Sequence, residues 1–184
     1  MYGRCEGFIA VQSALASRGA NIVVVPEIQF QLYGLNGVYE SIIQRAIRKG
    51  HCIIVVAEGA YKGLIDEEKE IVTQRAAGKQ DLFARGEVNL ALFMKGDLGK
   101  HAAEHHKIKL TIKYLDPRNM IRATAPNSID VDRSHRLAYC ACHSAMAGWT
   151  DFSVGHVRNQ TVMIPLDVLT SQETRKLRRR DSDW

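Results

Sequence analysis

Apolar residues in this chain fall into short blocks separated by glycine, proline and charge, and the spacing changes from block to block. Residues 8–17 are rich in small apolar side chains and predict a helix. Residues 21–25 form a continuous apolar run closed by Pro26, the mark of a strand buried on both faces. Gly34 and Gly37 bracket a turn. Over 38–49, Val38, Ile42, Ile43, Ala46 and Ile47 recur on one helical side, and Gly50 supplies a stop. A second buried strand follows over 52–57. Residues 65–87 are polar and lack an apolar period, which predicts a mobile insertion or a partly helical excursion. Helical spacing returns over 90–106, weakened by Gly96 and Gly99.

Residues 109–114 alternate in part and predict a strand. A helix is expected over 129–147, begun near Ser128 and stopped at Gly148. The chain then predicts a hairpin of 152–157 with 161–166, turning at Arg158-Asn159-Gln160. Helices alternating with buried strands imply an α/β layered fold. Its mainly parallel sheet is expected from 22–25, 53–57 and 110–114.

Composition narrows this little. At 184 residues the chain can bury one core. Its hydrophobic content of 46% and charged content of 24% are ordinary for a globular domain. No apolar run reaches the ~20 residues of a membrane span, and the start lacks a signal-peptide pattern. Four cysteines then predict reduced thiols and a cytoplasmic protein. A net charge of +5 suits an anionic ligand. Part of it sits in Arg175, Lys176, Arg178, Arg179 and Arg180. No aromatic residue interleaves that run, so it reads as a solvated tail and not as a polynucleotide contact.

Several residues could carry chemistry. Glu58 follows the second buried strand, at the end where open α/β sheets bind ligands, and a carboxylate there accepts sugar hydroxyls. From position alone, a helix-capping or turn carboxylate is the commoner reading. Gly3 allows close backbone approach, and Arg4 offers a fork suited to phosphate. Cys140, Cys142 and His143 suggest a metal, but thiols two residues apart on a helix diverge by about 200°. His101 and His105 share a helical face with no thiol or carboxylate to close a site, so a solvated helix end is the expectation.

Taken in order, Tyr2-Gly3-Arg4, Pro26-Glu27, Ala57-Glu58-Gly59, residues 114–123 and Ala141-Cys142-His143-Ser144-Ala145-Met146-Ala147-Gly148 resemble the C-terminal half of phosphofructokinases. The likeness covers residues 2–166 and is to the branch with plant-type ATP enzymes and some pyrophosphate enzymes. It implies a layered, Rossmann-like fold, incomplete here, as a phosphofructokinase half over 1–166 with a basic tail over 167–184. It implies fructose 6-phosphate as the partner, with Tyr2, Gly3, Arg4, Glu58, Asn119 and Arg122 around it. Tyr2 stands where the family commonly has methionine, and Asn119 where it has a tyrosine. Arg4, Glu58 and Arg122 are expected to converge on one cleft, and the resemblance implies a homo-oligomer in which a second chain completes the site that Arg122 serves.

The family's Gly-Gly-Asp-Gly and Thr-Ile-Asp-Asn-Asp blocks, which cradle the donor, hold magnesium and supply the base, do not occur in this sequence. Magnesium and ATP, or pyrophosphate in its place, are thus implied by the resemblance with no sites in this chain, and ATP is favoured by the Gly34-Leu35-Asn36-Gly37 turn. The resemblance implies 6-phosphofructokinase activity for a longer protein of which this chain is a fragment, inactive alone. The alternatives are a sugar-phosphate-binding regulator of a full-length partner and a basic-tailed nucleic-acid module.

Overall fold

β-Branched residues drive the centre of the fold. Ile22, Val23 and Val24 form β1 (Ile22–Val24), and Ile54, Val55 and Val56 form β2 (Ile54–Val56). The two pair in parallel, Ile22 with Ile54, Val23 with Val55 and Val24 with Val56. The computed structural model describes residues 6–84 and 87–171, which fall into two compact units, one ending at Arg118 and the other starting at Asn119. Tyr2, Gly3 and Arg4, and the basic run of 175–180, lie outside the described residues.

In the first unit, α1 (Phe8–Ser17) precedes β1 and buries Ala10, Val11 and Ala14. Helix α2 (Val38–Lys49) crosses from β1 to β2 with Tyr39, Ile42 and Ile43 buried at helical spacing. Glu40 lies in its first turn and Arg48 and Lys49 in its last, each sign matched to the helix dipole. Gly50 closes it in the left-handed region at φ 75°, donating to Ala46 O at 2.8 Å. After β2 come a 3-10 turn over Ala60–Gly63, α3 (Asp66–Ala76), and the short antiparallel pair β3 (Phe83–Ala84) and β4 (Glu87–Val88). Helix α4 (Leu90–His106) follows, capped by Asn89, whose side chain accepts from Leu92 N–H at 3.3 Å. The expected α/β layering with parallel strands and flanking helices is present.

Three expectations need correction. The segment expected to be a strand over 109–114 carries no regular element, so among the described residues the parallel sheet has two strands. Its alternation is real: residues 108, 110, 112 and 114 are half-buried and 109, 111, 113 and 115 are exposed. Ile108, Leu110 and Ile112 pack on the core, but alternation makes a strand only where a ladder partner lies alongside. Over 65–87 the partly helical of the two expected readings holds, because α3 forms there. Its inward positions are Glu68, Val72 and Ala76, a stripe that a charged residue hides from an apolar count. The other two corrections, below, are at α6, whose cap is Asn127 and not Ser128, and at the hairpin, whose turn is one residue shorter than expected.

Gly63 ends the turn that leaves the Glu58 region. A β-carbon there would stand 2.7 Å from Ile28 O and 2.8 Å from Val25 O. Its own carbonyl accepts from Phe30 N–H at 3.0 Å, so neither backbone can yield. Gly63→Ala is expected to cost about 1–3 kcal/mol, as overpacking does; a urea midpoint equal to wild type would contradict this.

The second unit contains α5 from Asn119 onward (Arg118–Ala123), α6 (Ser128–Met146), β5 (Phe152–Val157), β6 (Gln160–Pro165) and α7 (Leu166–Ser171). Asn127 caps α6, accepting from Asp130 N–H at 2.8 Å. β5 and β6 form a hairpin where one was expected, but Gln160 pairs with Val157, so the turn is two residues and not the three expected and the second strand begins at Gln160. Arg158 and Asn159 take positive φ of 48° and 65°, the geometry of a type I′ turn.

Candidate functional site

A groove of about 920 Å³ opens in the first unit, among α2, β2, α4 and residues 108–118. Ile42, Val56, Leu98, Leu110 and Ile112 give it apolar walls. Its charged lining is four cations, Lys95, Lys109, Lys113 and Arg118, against two carboxylates, Glu58 and Asp116. An apolar cleft with a few convergent polar groups and a cationic excess suits a small anionic ligand.

β2 decides where Glu58 stands. The strand's ladder is prolonged by Ala57 N–H donating to Val24 O at 2.9 Å, and Ala60 N–H donates back to Ala57 O at 3.1 Å. Ala57 and Ala60 are buried. Glu58 is thus held between a fixed strand end and a fixed turn, with 20% of its side chain exposed. Arg118 Nη1 lies 3.7 Å from Glu58 Oε1. The rest of the guanidinium is taken by Asp116: Nε lies 2.9 Å from both carboxylate oxygens and Nη2 2.5 Å from Oδ2. Asp116 Oδ1 also accepts from Arg118 N–H at 3.2 Å. These hydrogen bonds hold the Asp116 carboxyl below its ordinary pKa and Arg118 above its own.

Of the expected site residues, Glu58 falls in this groove. Asn119 and Arg122 are exposed on α5 in the second unit. Tyr2, Gly3 and Arg4 are outside the described residues. Sequence reasoning missed Arg118 and Asp116. The signal was there: in Asp116-Pro117-Arg118 the proline fixes φ, and the acid and base lie two residues apart, near enough to pair.

Among the described residues, no group of three or more His, Cys, Asp and Glu side chains is placed to hold a metal ion. That covers Cys140, Cys142 and His143 as well as the histidines of α4. The His101 and His105 rings instead meet at a tilt of 43° with centroids 4.4 Å apart, and His106 Nε2 lies 3.0 Å from Glu40 Oε2. No helix among the described residues is long and apolar enough to cross a membrane.

A sequence model of the phosphofructokinase family matches residues 1–145. The chain is 36% identical over 176 residues to ATP-dependent 6-phosphofructokinase 1 of Arabidopsis thaliana, covering 95% of this chain and 36% of that protein. It is 32% identical over 185 residues to ATP-dependent 6-phosphofructokinase 2 of the same plant, covering 100% of this chain and 40% of that one. Against ATP-dependent 6-phosphofructokinase of Amycolatopsis methanolica it is 34% identical over 177 residues, covering 92% and 37%. The chain therefore spans well under half the length of each of these relatives.

Proposed function

The chain belongs to the phosphofructokinase family, and from that membership we propose that it forms the sugar-phosphate side of a 6-phosphofructokinase. In this reading the substrate is fructose 6-phosphate, phosphorylated at its 1-hydroxyl in glycolysis, with ATP as donor. One observation carries the reading to this chain's own residues. Glu58 stands fixed at the C-terminal end of β2, in a cleft whose lining cations outnumber its carboxylates. The carboxylate accepts sugar hydroxyls while the surrounding cations favour the phosphate. Tyr2, Gly3, Arg4, Asn119 and Arg122 are proposed to complete the site. A homo-oligomer and a cytoplasmic location belong to the same proposal.

The residues present do not fit the donor or its magnesium. Glu58 and Asp116, the groove's two carboxylates, both face the Arg118 guanidinium. No metal-holding group stands among the described residues, and no glycine-rich donor cradle occurs in the sequence. What this chain contributes is binding and orientation of the sugar phosphate.

Titration of residues 1–184 with fructose 6-phosphate by ligand-observed NMR tests the proposal. Glu58→Gln exchanges a charged acceptor for a neutral one, worth about 1.5–3 kcal/mol in a charge-assisted hydrogen bond. A loss of affinity of about tenfold or more is expected. Equal affinity in wild type and Glu58→Gln would remove Glu58 from the site.

A further inference from the structure

Arg118 touches Glu58 from a segment far along the chain, and the proposed function assigns it no role. It is clamped before any ligand arrives. Asp116 engages its Nε and Nη2 side by side and its backbone N–H as well. Pro117 between them limits the backbone. A guanidinium held bidentate is a planar, oriented cation and not a swinging one. Its Nη1 faces Glu58 Oε1.

The separation of 3.7 Å is informative. It lies beyond a hydrogen bond, yet well inside the reach of charge in a cleft where Glu58 and Arg118 are 20% and 36% exposed. Arg118 therefore orients the carboxylate without occupying the lone pairs that a sugar hydroxyl would use. It also answers a difficulty in placing a carboxylate where a phosphate-bearing ligand binds, since two anions repel unless a fixed cation stands near them.

We infer that Arg118, clamped by Asp116, is the positioning residue for Glu58 in sugar-phosphate binding. The inference rests on Glu58 contacting the sugar, as proposed above, and the test separates the two ideas.

The experiment measures fructose 6-phosphate affinity of residues 1–184 by ligand-observed NMR in a double-mutant cycle. Arg118→Ala is expected to weaken binding about tenfold, and Arg118→Lys, which keeps the charge but not the fork, to recover part of that loss. Asp116→Asn loosens the clamp and leaves Arg118 in place, with a loss of about threefold expected. In the Glu58→Gln background, Arg118→Ala is expected to cost nothing further, because its effect passes through the carboxylate. A merely structural role would give losses that persist in that background and a lowered urea midpoint. If Glu58→Gln weakens binding while Arg118→Ala does not, or if the two losses add, the positioning role is overturned and the site reading survives. Unchanged binding in Glu58→Gln, or no binding by wild type, overturns both. Should Arg118→Ala fail to fold, Asp116→Asn decides, and wild-type affinity in that variant rejects the clamp.

Discussion

Incubated with fructose 6-phosphate, magnesium and either ATP or pyrophosphate, residues 1–184 are expected to release no fructose 1,6-bisphosphate above background. Phosphoryl transfer rests on holding donor, metal and acceptor in line, with little covalent chemistry supplied by the protein. This sequence has neither the Gly-Gly-Asp-Gly nor the Thr-Ile-Asp-Asn-Asp block that the family resemblance associates with donor and base. Among the described residues no carboxylate cluster fits magnesium. Missing a general base alone costs about 10²–10⁴ in rate. Losing the oriented donor removes effective molarities of about 10⁵–10⁸ M. Together these put turnover below detection in a coupled spectrophotometric assay. Product formation abolished by Glu58→Gln would show that the chain carries a donor site of its own.

The second large effect concerns Glu68. Its carboxylate is buried, 7% exposed. Oε2 accepts from Leu32 N–H at 2.6 Å and Oε1 from Tyr33 N–H at 3.1 Å. It also lies in the first turn of α3, where a negative charge suits the helix dipole. Glu68→Ala leaves two backbone donors without their acceptor, one of them in the fully buried Leu32. Hydrogen bonds to a charged group contribute about 1.5–3 kcal/mol each. A destabilisation of about 3 kcal/mol or more is expected from urea unfolding. Glu67→Ala is the control: it removes an exposed charge from the same turn and should change stability by less than about 1 kcal/mol. Similar midpoints for the two variants would mean that the Glu68 hydrogen bonds do not hold the 32–33 loop.

The same carboxylate explains why α3 was hard to read. Helix detection from a single sequence counts apolar side chains on one face, and here a charged residue fills a core position because two backbone N–H groups need it. Nearby, Tyr33 Oη donates to Asp97 Oδ2 at 2.5 Å, and Arg75 Nη1 lies 2.9 Å from Asp97 Oδ1. Burial and that carboxylate hold the Tyr33 phenol above its ordinary pKa. The loop, α3 and α4 are thus joined by polar contacts between distant residues, which no periodicity announces.

What the amino-acid sequence determined by itself is the local part. Apolar runs closed by Pro26 and by Glu58-Gly59 made β1 and β2, and the spacing of Tyr39, Ile42 and Ile43 with Gly50 behind them made α2. The hairpin of β5 and β6 was legible as two apolar runs about a polar turn, but its register was not: Gln160 joins the strand and leaves a two-residue turn. Glu58 could be placed at a strand end because its position follows from the strand before it. The tertiary structure decided the rest. Residues 109–114 alternate as a strand should and do not become one, since a strand is completed by a neighbour's hydrogen bonds and not by its own side chains. Arg118 meets Glu58 only because the chain returns to the end of β2. Helical periods and turn signals depend on residues a few positions apart, whereas ladders and ion pairs depend on which segments the packed core brings together.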